Sequence, residues 1–201
     1  MANGRVITGY SMPRVALYSE SNGTITYTDG MALARGVNVT LTPDDAGDDN
    51  VFYADNQAAE RVAGTFNGGT ITLTVDGLLD AARKLILGLP AATQETIGGN
   101  PVDVYTWDDD QAIPYCGVGW IVRYMKDGVT TYEPHVAMKV RFSNPSENAA
   151  TQEEDIDWQT TELEATMLRA DDAKHSWFKT YAEQATEAAA LAILDSVLDV
   201  Q

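Results

Sequence analysis

The sequence predicts a mainly β protein of the α+β kind: an antiparallel β-sandwich or barrel with one interior helix, a long loop and a C-terminal helix. Three observations predict it. Short runs of strict apolar–polar alternation recur along the chain, as half-buried strands require. Asn22-Gly23 and Asp127-Gly128, dipeptides that accept the positive φ angles of a tight hairpin, separate pairs of such runs. The regular β–α–β alternation of a parallel sheet is absent.

Val15-Ala-Leu-Tyr18, the Ser21-Asn22-Gly23 turn and Thr24-Ile-Thr-Tyr-Thr28 read as a first hairpin, with Ile25 and Tyr27 on one face. Val37, Val39 and Leu41 then share a strand face. From Pro43 to Gly69 no long periodic element is visible, although Val51-Phe-Tyr-Ala54 could be a short strand. A connection of that length is uncommon in a compact domain unless it serves a function or is disordered. Ile71, Leu73 and Val75 mark the clearest strand, Asp76 is positioned to cap the next element, and Leu78, Ala82, Leu85 and Ile86 form a helical stripe ended by Gly88 and Pro90. Residues 91–101 read as loop with Gly98-Gly99-Asn100-Pro101 as breakers, and Val102 to Trp107 alternates briefly. A second hairpin follows around Asp127-Gly128. Val118, Trp120, Val122 and Tyr124 share a face of its first strand, and Val136, Met138, Val140 and Phe142 share a face of its second, with Lys139 and Arg141 opposite. Ser146 to Asp157 is a polar connection. Thr160 to Leu168 alternates with Leu163, Ala165 and Met167 inward, and Tyr181 to Val200 has helical spacing through Ala188, Leu191, Leu194, Val197 and Leu198.

Composition narrows the function classes. The 201 residues suit one domain, with an elaborate loop or tail at most. With 13 Lys+Arg against 30 Asp+Glu, the net charge is −17, the reverse of a protein that grips nucleic acid through its phosphates. The single cysteine, Cys116, excludes an internal disulfide and a cysteine-only zinc cluster. No signal-like segment and no apolar run of membrane length is visible, so the expectation is a protein made in a cytoplasm with no membrane partner. On that expectation the sequons at Asn22 and Asn38 read as chance.

The tests for chemistry return little. Gly117-Val118-Gly119 lacks the third glycine of a dinucleotide fingerprint and precedes a strand, so no cofactor is expected. His135 and His175 have no metal-ligand spacing, and Cys116 reads as a buried, inert thiol. The acidic run from Asp44 to Asn50 fails the helix–loop–helix calcium pattern, with Ala46 at position 3 and Asp49 in place of the glycine at 6. Asp108-Asp109-Asp110 reads as a solvated loop, because neighbours in an extended segment point to opposite sides and cannot aim two carboxylates at one bond.

One stretch is more specific. Phe52-Tyr-Ala-Asp-Asn-Gln-Ala-Ala-Glu60, then Gly68-Gly69, then Thr70-Ile-Thr-Leu-Thr-Val-Asp-Gly-Leu78 resembles the major tail protein family of long-tailed, non-contractile bacteriophages. Pro114-Tyr-Cys-Gly-Val-Gly-Trp120, Lys139-Val-Arg-Phe-Ser-Asn-Pro145 and Thr160-Thr-Glu-Leu-Glu-Ala-Thr166 follow in the family's order. The resemblance covers roughly residues 5–181, a tail tube β-sandwich domain over 1–181; the helical extension at 182–201 departs from it. It implies a structural virion protein, not an enzyme. Such subunits form hexameric rings that stack into a hollow tail tube, in company with tape measure, tail terminator and distal tail proteins. DNA passes through the tube without specific binding.

On that reading the segment 43–69 is an assembly loop, with Tyr53, Asp55, Asn56, Glu60 and Arg61 as candidate inter-subunit residues. The acidic balance suits a wall that repels phosphate. Asp44, Asp45, Asp108, Asp109, Asp110, Glu153, Glu154 and Asp155 are the pool of lumen-facing candidates. Six copies would carry a charge of about −100, so assembly is expected to strengthen with salt or divalent cations, helped by contacts from Arg14, Arg35, Arg61, Arg83, Lys84, Lys126, Lys139 and Arg141. Two other readings remain open: a tube subunit of a related phage-tail-like or secretion-type injection device, and an acidic carbohydrate-binding β-sandwich.

Overall fold

In a computed structural model, residues 4–45, 50–54, 57–62, 66–147, 149, 151 and 159–201 are described. The first hairpin joins β1 (Val6–Ser21) to β2 (Thr24–Ala32). Its register closes at Ser21 opposite Thr24, and Asn22 (φ 52°) and Gly23 (φ 76°) hold the two left-handed positions of the turn. β3 (Gly36–Asp45) pairs with β6 (Phe66–Val75), and β4 (Asn50–Ala54) pairs with β5 (Gln57–Val62) in a sheet of their own.

The expectation of a loop from Pro43 to Gly69 is therefore corrected. β3 runs on through Pro43 to Asp45 opposite Gly69 to Phe66, and most of what remains is a second, separate hairpin. Sequence hid β5 because Gln57-Ala-Ala-Glu-Arg-Val62 holds helix formers and no alternation.

Helix α1 (Asp80–Leu87) buries Ala82, Ile86 and Leu87. Leu79 is its N-cap residue, and Asp76 does not cap it. The Asp76 carboxylate accepts instead from the Arg35 backbone N–H (3.0 Å) and from Arg35 Nε (2.5 Å), tying the end of β6 to the entry of β3. Gly88 ends the helix at φ 58°, where a Cβ would lie 1.9 Å from the Ala112 carbonyl oxygen.

Residues 91–101, expected as loop, contain half of another hairpin. β7 (Thr93–Ile97) pairs with β8 (Asn100–Val104) across Gly98 (φ 58°) and Gly99 (φ 85°), so the two glycines close a turn where breakers were expected. Next come β9 (Cys116–Lys126), β10 (Val129–Phe142), β11 (Thr161–Met167), β12 (Phe178–Thr180) and helix α2 (Glu187–Val197).

The main sheet has the order β2-β1-β9-β10-β11-β6-β3, all antiparallel, with β12 added to β10. It curls, because β3 returns to β1 from the far end of that path: a Cβ on Gly36 would lie 2.1 Å from the Tyr10 ring. The enclosed face holds Val15, Val118, Trp120, Val122, Val140 and Phe142 from one side, and Ile71, Leu73, Val75, Leu163, Ala165 and Met167 from the other. Leu163, Ala165 and Met167 thus point inward as their alternation predicts.

Strand β10 departs from its expected pattern. A bulge between Ala137 and Val140 shifts the phase, so Val140 and Phe142 face the main core while Val136 faces the other side of the sheet. There Val136, Ala16 and Ile121 meet Ala190, Leu194 and Leu198 of the C-terminal segment. α2 is shorter than the expected Tyr181–Val200 element, and Ala188 is exposed while Ala190 is buried. The segment before it is strand-like: β12 pairs with β10, and Gln184 and Tyr132 exchange two backbone hydrogen bonds of 2.8 and 3.0 Å. Arg14 Nε donates to Asp195 Oδ1 at 2.8 Å, and Val200 forms a parallel bridge to Gly30 of β2. The terminal helix is thus stitched onto the outer face of the β1–β9–β10 layer.

Candidate assembly surface

A subunit that joins copies of itself through sheets needs strand edges or strands outside its main sheet, and the fold has strands of both kinds. β3 stands at one end of the main sheet and pairs along one edge with β6. Its other edge has no strand partner among the described residues, although its start at Gly36 lies against Tyr10 of β1, and Pro43 and exposed Asp44 near its end are devices that discourage unplanned pairing. β2 closes the other end of the path, where Val200 already bridges Gly30.

The β4–β5 hairpin carries three of the candidate inter-subunit residues. Tyr53 lies in β4 opposite Ala58, and Glu60 and Arg61 lie in β5 opposite Phe52 and Val51. Asp55 and Asn56 lie outside the described residues, between the two strands. The structure therefore places Tyr53, Glu60 and Arg61 on paired strands and not on an irregular loop.

The acidic pool is divided. Asp44 is exposed near the end of β3, and Asp45 is the last residue of that strand. Asp108, Asp109 and Asp110 are exposed in the connection between β8 and β9, where the Asp110 N–H donates to Asp108 Oδ1 at 3.1 Å, a local turn typical of Asp. Nearby Gln111 Nε2 bonds the Leu87 carbonyl at 2.9 Å, which anchors this loop to the end of α1. Glu153, Glu154 and Asp155 lie outside the described residues.

The cations expected to form contacts between copies are partly spent within the chain. Arg14 pairs with Asp195 at 2.8 Å, Arg35 with Asp76 at 2.5 Å and Lys139 with Asp171 at 2.5 Å. Lys139 holds the Asp171 carboxyl below its usual range, helped by the Tyr18 hydroxyl. Arg83 and Lys84 of α1 behave differently. The Arg83 guanidinium lies 5.7 Å from the Trp107 ring centre, and Lys84 Nζ lies 4.1 Å from the Tyr105 ring and donates to its hydroxyl at 2.7 Å. Asp80 and Leu89 complete a small cavity there of about 120 Å³. The two rings follow directly on β8 and are largely exposed. In the hairpin that precedes them, Ile97, Val102 and Val104 share one face. Residue-by-residue reading missed this surface. The Gly98-Gly99 turn signal between alternating segments was the available clue.

The titratable interior is small. Glu133 is buried and accepts from Arg5, which also bonds Glu183 and lies 3.9 Å from the Tyr124 ring. His135 Nε2 lies 3.1 Å from Glu133 Oε1, and its ring packs against both Trp120 and Phe178, which also meet each other. Burial lowers the His135 pKa, and the neighbouring Glu133 carboxylate opposes that fall only in part. Cys116 is buried, which pushes its thiol up to about 12. Among the described residues no group of three or more His, Cys, Asp or Glu could hold a metal ion, and no helix is long and apolar enough to cross a membrane. No family model matches the chain and no curated protein matches it, so its residues and surfaces carry the functional reading.

Proposed function

We propose that the chain is a tail tube subunit of a long-tailed, non-contractile phage. It assembles by self-association into rings that stack around a channel for DNA, and it acts without catalysis or cofactor as part of the virion. The observation that carries the proposal is the β4–β5 hairpin. It is inserted between two adjacent strands of the curled main sheet, its strands pair with each other outside that sheet, and it holds the Tyr53-to-Arg61 segment on which the family resemblance rests. An antiparallel body with β3 last in its sheet and a hairpin paired outside that sheet has the parts that sheet extension between subunits uses.

The charge supports the same reading. At −17 per copy, DNA inside a ring of these subunits meets a field that repels its phosphates, so it slides and is not held. Asp44, Asp45 and Asp108 to Asp110 remain the described candidates for such a wall. Like charge on neighbouring copies opposes assembly, and salt weakens that opposition.

Negative-stain microscopy of concentrated protein over a series of salt concentrations tests the proposal. Hollow tubes with a regular axial repeat, more abundant at moderate than at low salt, are the expected result. A species that stays monomeric at every salt concentration and with magnesium present would contradict it.

A further inference from the structure

Several cations pair with no carboxylate among the described residues, and Arg83 and Lys84 differ from the rest of these in what holds them. Each is held against an aromatic ring instead, Arg83 by Trp107 and Lys84 by Tyr105. Trp107 is 45% exposed and Tyr105 39%. The rings restrict both cations while leaving their charge unneutralised, and a stacked cation at an exposed site gains little from its ring. Trp, Tyr and Arg are also the residue types that dominate binding energy at protein interfaces. Immediately before these rings, the β7–β8 hairpin exposes Ile97 (55%) and Val102 (40%) on a shared face.

We propose that Arg83, Lys84, Tyr105 and Trp107, with the Ile97–Val102 face of the hairpin, form a docking surface for a carboxylate-bearing face of a second copy of this chain. Charge decides the occupant. The surface holds two ring-held cations on a molecule of net charge −17, so another copy presents them with excess carboxylates. Single-stranded nucleic acid would also stack on such rings, but two cations flanked by Asp80 and Asp108 to Asp110 are too few to overcome the repulsion of the whole. Where the carboxylates that meet it lie on a different face of the other copy, the contact is head-to-tail, which forms a ring when its rotation closes. The inference rests on the self-assembly reading above and names one surface through which it occurs.

The test compares three full-length proteins: wild type, R83Q/K84Q, and K174Q/K179Q. Each double variant removes two of the 13 cations and carries 11 − 30 = −19, so the pair separates the surface from net charge. Thermal unfolding of each first establishes that it is folded. Sedimentation at moderate salt should show the concentration needed for association rising about tenfold or more in R83Q/K84Q and less than about twofold in K174Q/K179Q. A carbodiimide should join Lys84 to a carboxylate of another copy, identified as a mixed peptide when labelled and unlabelled protein are combined. Equal behaviour of the two variants, or no inter-copy link at Lys84 in the associated wild type, would overturn the docking surface. So would Lys84-dependent binding of single-stranded DNA by the unassociated protein. Tubes that form normally from R83Q/K84Q would sink this inference and spare the tube. Association through Lys84 that never yields a tube would do the opposite.

Discussion

The β9–β10 and β7–β8 hairpins are both antiparallel pairs closed by two residues with positive φ, Asp127-Gly128 in one and Gly98-Gly99 in the other. Their surroundings are opposite. β9 is buried from Cys116 to Val122, under the main core on one face and under α2 on the other, whereas β7 is exposed along its whole length. The turns fix pairing and register in both. Burial is decided by what the strands carry: Val118-Gly-Trp-Ile-Val122 offers apolar volume to both faces, and Thr93-Gln-Glu-Thr-Ile97 offers one large apolar side chain. A lone two-stranded hairpin is marginal in water, so contact with a partner would stabilise β7–β8 while β9–β10 needs none.

The comparison breaks most sharply in the packed layer. Phe142→Ala should destabilise the protein by about 3–5 kcal/mol and Leu194→Ala by about 2–5 kcal/mol, since both side chains are fully enclosed and leave cavities. Denaturant unfolding, with an unchanged dependence on denaturant, measures each. A loss below about 1 kcal/mol for Leu194→Ala would mean that α2 is not seated on the β1–β9–β10 layer as described.

Close packing at the glycines of β9 comes next. A Cβ on Gly119 would lie 2.9 Å from both Leu194 Cδ2 and Leu198 Cδ1. Gly119→Ala should therefore cost about 1–3 kcal/mol by overpacking. Combined with Leu194→Ala, it should cost less than the sum of the two, because the truncated leucine makes room. Strict additivity of the pair would refute direct contact between strand and helix.

How much of this could be read beforehand follows from the same contrast. Alternation placed β6, β9 and β11 and their inward residues, because one buried face imposes a period of two. It did not show that β9 is covered twice. Ile121, Gly119 and Gly117 lie on the face alternation leaves unassigned, and only the tertiary return of α2 gives Ile121 a partner. The phase of β10 is not legible because a bulge has no fixed sequence signal: alternation groups Val136 with Val140 and Phe142, and they face different layers. The candidate assembly segment was legible as an anomaly of length and by family resemblance, yet its hairpin was not, since β5 is written in helix-forming residues. The Arg83–Trp107 and Lys84–Tyr105 contacts join residues more than twenty positions apart, beyond any local pattern.

A smaller effect follows from titration inside the packed layer. His135 packs against Trp120 and Phe178, facing Glu133 and near Arg5, and its pKa is lowered chiefly by burial. With the folded value below the ordinary 6.5, the unfolded chain binds more protons between the two, so stability falls as the pH drops below 6.5 toward the folded value. Above 6.5 this contribution is fully present. His135→Gln should flatten the stability profile over that window while leaving the acid-range loss from Asp171 and Asp172, whose pKa values are lowered, in place. An identical pH profile for the variant would show that His135 titrates normally in the folded protein.

The smallest effect on the isolated subunit belongs to the exposed hairpin, and there the comparison becomes a test of purpose. Ile97→Ser and Val102→Ser remove apolar groups that the folded monomer leaves largely in water, so each should change monomer stability by no more than about 0.5 kcal/mol. The equivalent change at Val118 of β9 would place an unpaired hydroxyl in the core and cost several times that. If the β7–β8 face meets another copy, the same two substitutions should still weaken association, read as a rise in the concentration at which sedimentation shows oligomers. Stability and association would then separate: a substitution in β9–β10 lowers both, and one in β7–β8 lowers association alone. Monomer stability that falls in parallel with association for Ile97→Ser would place the hairpin among the packed elements and remove the reason for assigning it a partner.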